Sequence, residues 1–231
     1  MHRAVVIALL GVLGVLGVAL ASSAALADPV PHGVAPHAAA DPVRPRAAMA
    51  DYFAGEQRGG YVLVGLGVGG LVAGGLLYRR GSPTARGAAY PLLGIGVLHL
   101  AAGIFIAVSS SGRVATFGPE IEQDAGGFIA RERPRMAGVA TQFLVLKIVE
   151  VVIAAGGLTM AGIGHRTDRP RLKGAGLALA LEMAITFGFD VIAARRASGY
   201  RDELATLASE PSARSGASDV PIAMFSHAVQ F

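Results

Sequence analysis

The sequence predicts an all-α membrane protein: four transmembrane helices in two hairpins forming a bundle, preceded by a signal peptide. Three observations carry this. The 231-residue chain is 53% hydrophobic and only 16% charged, where soluble domains carry about a quarter charged residues. Its mean hydropathy is +0.54. The apolar residues also fall in blocks of roughly 20, the length that crosses about 30 Å of hydrocarbon at about 1.5 Å per helical residue.

The chain opens with His2 and Arg3, an apolar run from Ala4 to Ala21, and an Ala-x-Ala pattern ending at Ala27 before Asp28-Pro29. This is the layout of a secretory signal peptide over residues 1–27, with an uncleaved anchor as its rival. Either way Asp28 is expected outside the cytoplasm. Residues 28–60 are rich in Pro and Ala and read as an extended extracytoplasmic segment. Met49 to Arg58 is its one short stretch of helix, expected to lie on the membrane.

Residues 61–194 hold the transmembrane domain. Span one covers 61–78, where Gly65-x-x-x-Gly69 and Gly70-x-x-x-Gly74 each set two glycines on one helix face. Such pairs let a neighbouring backbone approach closely. Span two covers 88–110 and carries His99 near its middle. A long loop comes next. In it Ile121, Ala125, Phe128 and Ile129 form a helical stripe weakened by Gly126-Gly127, read as a short amphipathic surface helix ending near Pro134. The Glu132-Arg133-Pro134-Arg135 run is expected to be solvated or at headgroup level.

Span three covers 141–164 and contains Lys147 and Glu150. Span four covers 174–194. Gly176, Ala180, Ala184 and Gly188 recur there every four residues as a small-residue ridge, while Glu182, Thr186 and Asp190 recur on roughly the opposite side. The tail, 195–231, reads as extracytoplasmic and largely disordered, with helix expected only over Arg201 to Ala208.

Charge sets the topology. Residues 79–87 hold three cations and no acid, and residues 165–173 hold four cations against one acid. The remaining non-span segments balance to within one charge. Since cytoplasmic loops carry the Lys/Arg excess, the two short turns are assigned to the cytoplasm and both mature termini to the outside of a plasma (inner) membrane. A pI near 9.8 does not point to nucleic acid, because the cations sit in short turns rather than on a soluble face.

A charge at the bilayer centre costs roughly 2.5–3.5 kcal/mol on insertion scales. His99, Lys147, Glu150, Glu182 and Asp190 therefore form the candidate polar cluster. By depth, His99, Glu150 and Glu182 are expected to converge near the midplane, and Lys147 to pair with Asp190 in the outer half. Three uses fit: polar glue between helices, a proton, cation or small-solute path, or a metal site. For a metal, His99, Glu150 and Glu182 offer acceptable ligand types, but without the Glu-x-x-His pairs of di-iron bundles. No metal or other cofactor is predicted. With no Cys, thiol and Fe–S chemistry are excluded. Gly-x-Ser-x-Gly, His-Glu-x-x-His and phosphate-loop patterns are absent. Gly65-x-Gly67-x-x-Gly70 matches a dinucleotide fingerprint in letters only, since it lies inside an apolar span. The residues lean away from an enzyme. They favour a structural or accessory membrane subunit, with the lipid bilayer and a second copy or another membrane subunit as partners. Transport through the intramembrane carboxylates and His99 is the alternative, and a metal-binding protein or membrane enzyme the third class.

Overall fold

A computed structural model describes residues 41–210; the expected signal peptide and the tail beyond 210 lie outside it. The described chain is three helices: α1 (Val43–Arg80), α2 (Pro83–Arg166) and α3 (Pro170–Ser209). All three contain windows long and apolar enough to cross a membrane.

Local chemistry explains each boundary. α1 ends with Arg79 and Arg80 in its last turn, where cations offset the negative end of the helix dipole. The Ser82 side chain then caps α2 by accepting from the Ala85 N–H at 3.3 Å, with Pro83 at the first helical position. At the far end of α2, Thr167 N–H bonds Ile163 and Arg169 N–H bonds Gly164 at 2.8 Å. Asp168 between them sits at φ 47°. That is a Schellman closure with Asp in the left-handed position usually taken by Gly. Pro170 starts α3.

α2 keeps helical geometry throughout except at Asp124, which lies at φ −152°, ψ 80°. Its Oδ1 accepts from Gly127 N–H at 2.8 Å, so the residue that breaks the helix also caps the turn after the break. The chain doubles back there. Gly87, near the start of α2, lies against the Arg171 backbone, and Gly164, near its end, lies against Leu172 and Lys173. The two arms of α2, 83–123 and 125–166, therefore both reach the first turn of α3. The break falls just before the Gly126-Gly127 pair that weakens the expected surface helix, and Pro134, its expected end, lies inside α2.

Small residues set the closest helix contacts. Gly60, Gly67 and Gly74 recur every seven residues on α1 and meet Gly103, Gly96 and Ala89, which recur every seven on α2. A Cβ at Gly67 would lie 2.6 Å from Leu100 N and 2.7 Å from the Gly96 carbonyl. A strict seven-residue repeat implies shallow, left-handed crossing. The second arm meets α3 in the same manner, Gly157 against Gly176 and Ala180, and Ala161 against Gly176. Of the glycines expected to pack, Gly70, Gly74 and Gly176 do so against a neighbouring helix. Gly65, Gly69 and Gly188 have nothing within 4 Å, and Ala184 is exposed.

Apolar side chains are distributed in two opposite ways. From Tyr61 to Ile192 the exposed large hydrophobics, such as Val68, Val72, Val108, Val152, Leu158 and Leu181, point away from the protein. Most of the large buried ones gather at one end of the helices, where Met49, Tyr52 and Phe53 of α1, Ile121, Phe128, Ile129 and Met136 of α2, and Tyr200 and Leu204 of α3 form one core, while Leu63, Ile95 and Met183 are buried elsewhere. Such an arrangement suits helices in lipid surmounted by a packed head.

The head differs from the sequence reading. The helix expected over Met49–Arg58 is present, but it starts at Val43, runs on into span one and packs into a core instead of following an extended segment, and α3 continues past 194 to Ser209. The cause is three amphipathic stripes that complete one another: Ala48, Met49, Tyr52 and Phe53; Ile121, Ala125, Phe128, Ile129 and Met136; Ala197, Tyr200 and Leu204. None is apolar enough to signal burial alone, and each supplies the others' missing core.

Candidate functional site

The packing of both arms of α2 against α3 brings the intraspan ionisable residues toward one another. Glu182, Thr186 and Asp190 are spaced four apart on α3 and so share one face. His99 comes from the first arm of α2 and places Nε2 3.1 Å from Thr186 Oγ1. That hydroxyl donates its one proton to the Glu182 carbonyl at 2.9 Å, so it accepts from the imidazole. His99 therefore carries a proton on Nε2.

Glu150 comes from the second arm. It is 6% exposed, and its Oε2 is buried with no hydrogen-bond partner. Its charged neighbours are Asp190 of α3 and Lys147, one turn earlier on its own helix. Asp190 sees the same two groups. Lys147 and Asp190 are half-buried, and Lys147 is not within ion-pairing distance of either acid.

The five expected site residues thus fall into two neighbouring groups. His99 is joined through Thr186 to the turn of α3 that bears Glu182. Lys147, Glu150 and Asp190 form the other group, farther along α3. Glu182 is buried at 9% exposure and makes no side-chain hydrogen bond or ion pair among the described residues. No group of three His, Cys, Asp or Glu side chains could hold a metal ion among the described residues. His99, Glu150 and Glu182 are therefore not assembled as a ligand set.

A second polar cluster lies in the head, and the sequence reading misses it. Glu132 is 4% exposed and is gripped by Arg135, Nε to Oε2 at 2.6 Å and Nη2 to Oε1 at 2.5 Å. The sequence alone places these residues in solvent or headgroups. The available signal is spacing: Glu132 lies four residues after Phe128 and four before Met136, on the buried stripe. Tyr52 stacks on Tyr200 at 4.6 Å and donates to Glu56 Oε1 at 2.6 Å. Arg113 and Arg135 each lie 5.7 Å from the Phe53 ring centroid, within cation–π range.

These head groups lie outside residues 61–78, 88–110, 141–164 and 174–194. Burial pushes the Tyr52 phenol well above its ordinary range, assisted by the Glu56 carboxylate. Burial does the same for Tyr200, with Glu132 adding to it. For Arg135 burial works against the charge, but the Glu132 fork outweighs it and holds the guanidinium above its ordinary value. These shifts favour neutral tyrosines and a charged Arg135.

A cleft of about 310 Å³ opens between α1 and α2 at the edge of the head, with Phe53 in its lining. Two of its polar groups satisfy each other, Gln57 Nε2 donating to Ser111 Oγ at 2.7 Å, and it does not reach Glu150 or Glu182.

No family model, curated protein or solved structure matches the chain. The fold and its burial pattern define the class: an all-α protein with helices built to span a membrane.

Proposed function

We propose that this chain is a four-span plasma (inner) membrane protein acting as a non-enzymatic structural or accessory subunit. The two arms of α2 serve as separate spans. The turns bearing Arg79, Arg80 and Arg86, and Arg166, Arg169, Arg171 and Lys173, are assigned to the cytoplasm by the positive-inside rule. The head and both termini then face outward.

The observation that carries the subunit role is the division of the small residues. Gly70, Gly74, Gly176 and Ala180 face neighbouring helices within the chain. Gly65 and Gly69 on α1, and Ala184 and Gly188 on α3, are exposed. Glycine costs a helix about 1 kcal/mol relative to Ala, and in lipid a second helix approaching closely offsets that cost. The partner is a second copy of this chain or another membrane subunit. Blue-native electrophoresis after mild solubilisation tests this. The wild type is expected to migrate as an assembly, and Gly65→Leu/Gly69→Leu to shift it to the monomer. A wild-type monomer at every detergent level would rule the role out.

A second reading, proton, cation or small-solute transport, is favoured by the burial of His99, Glu150 and Glu182 inside the apolar zone. In liposomes loaded with a pH-sensitive dye, transport predicts a flux that Glu150→Gln and Glu182→Gln reduce. Absence of wild-type flux, or flux indifferent to both substitutions, removes this reading.

A further inference from the structure

We infer that Glu150 and Asp190 form an intramembrane proton-binding site: the two carboxyls share one proton, and Lys147 balances the single negative charge that remains. Neither functional reading is required for this. A static subunit and a transporter could both hold such a site.

Hydrogen-bond donors are what the site lacks. Glu150 Oε2 is buried without a partner, and the group facing it is another carboxyl, Asp190. Two ionised carboxylates offer each other only acceptors. One proton turns that contact into an O–H···O⁻ hydrogen bond, among the strong charge-assisted kind, and provides the buried oxygen with its partner. Burial raises the stakes on both sides, since an unmatched polar group costs most where the dielectric is low.

Charge counting gives the same stoichiometry. The charged and titratable groups at the site are Glu150 and Lys147 from the second arm and Asp190 from α3. With both acids ionised the site carries −1, with one proton it is neutral, and with two it is +1. A low-dielectric interior favours the neutral count. Glu182 provides the contrast within the same span: it is buried as well, but no charged group faces it.

Dicyclohexylcarbodiimide tests this on the full-length protein in liposomes. The reagent partitions into lipid and needs a protonated carboxyl. The acid's O–H adds across one C=N bond to give an O-acylisourea, which rearranges to a stable N-acylurea without any oxidant or reductant. Mass spectrometry of peptides is expected to locate the adduct on Glu150 or Asp190. Asp190→Asn removes one negative charge, leaves Glu150 beside Lys147 and an amide donor, and so favours ionised Glu150. Labelling of Glu150 is then expected to fall about tenfold or more at neutral pH, the change that a one-unit shift in proton affinity produces. Lys147→Met removes the balancing cation, so labelling is expected to persist to higher pH than in the wild type. Adduct formation at Glu182 in the same samples reports that the spans remain folded and is expected to be unchanged. The inference is overturned if neither Glu150 nor Asp190 is labelled from mildly acidic to mildly alkaline pH. Glu150 labelling indifferent to Asp190→Asn overturns it too.

Discussion

Gly67→Leu is expected to break the α1–α2 pairing, whereas Gly65→Leu, two residues away, leaves it intact. At Gly67 the atoms met by a new Cβ are the Leu100 amide nitrogen at 2.6 Å, the Gly96 carbonyl oxygen at 2.7 Å and the Leu100 Cα at 2.9 Å. All three are backbone, so no rotamer change can clear them, and the helices themselves must separate. Overpacking a well-fitted interior costs about 1–3 kcal/mol where side chains can adjust, and this site is expected at or above the upper end. The loss would extend to Gly60 and Gly74, which share the seven-residue repeat and depend on the same interhelical distance. At Gly65 nothing lies within 4 Å. The substitution there also replaces a poor helix former with a good one, a gain approaching 1 kcal/mol in the helix. Thermal unfolding of the detergent-solubilised monomer, followed by circular dichroism, separates the cases. A lower midpoint is expected for Gly67→Leu, and an unchanged or slightly higher one for Gly65→Leu. Equal midpoints for the two variants would mean that the seven-residue contact does not hold these helices together.

That contrast marks how far the sequence can be read. Helical class and membrane-spanning length are legible because they derive from composition and block length, properties of each segment taken alone. The inward position of His99, Glu150 and Glu182 is legible for a similar reason: an ionisable group in an apolar span has few other places to go. The choice among glycines is not. Gly65 and Gly69 share one face of the helix and Gly70 lies roughly 100° around from Gly69, yet the four-residue rule weighs all of them alike. The seven-residue series Gly60, Gly67, Gly74 becomes meaningful only beside Gly103, Gly96 and Ala89 on another helix. The head is hidden for the same cause. Met49, Tyr52 and Phe53 sit in a segment rich in Ala and Pro, and Tyr200 and Leu204 sit in a polar tail. Each group is too small to announce a core, and the core exists only as their sum. Pairing within the polar cluster also lies beyond the sequence, which groups Glu150 with His99 and Glu182 by depth. Depth carries no information about azimuth, and it is azimuth that turns Glu150 toward Asp190 and His99 toward Thr186.

Arg135→Met is expected to destabilise the head by about 3–5 kcal/mol, the usual cost of removing one partner from a buried ion pair. Glu132 has a side-chain exposure of 3%, against 19% for Arg135. Removing the arginine therefore strands the more deeply buried charge. The fork closes from three residues away on the same helix, so it lends little to long-range chain connection. Its value is electrostatic, in keeping the Glu132 carboxylate compatible with the surrounding core of Ile129, Met136, Tyr200 and Tyr52. Methionine preserves most of the volume over the Phe53 ring, which limits the packing loss and isolates the charge effect. The double variant Glu132→Leu/Arg135→Met removes both charges and is expected to recover most of the lost stability, since apolar replacement of a complete buried pair is often neutral or stabilising. Limited tryptic digestion offers a local readout. Arg113, Arg131 and Arg133 are carried by α2 beside the head core, and in Arg135→Met they are expected to be cut sooner than in the wild type. The double variant should return to slow cleavage. If the single and double variants prove equally unstable, the loss lies in packing against Phe53 rather than in a stranded carboxylate, and the fork is not what holds the head closed.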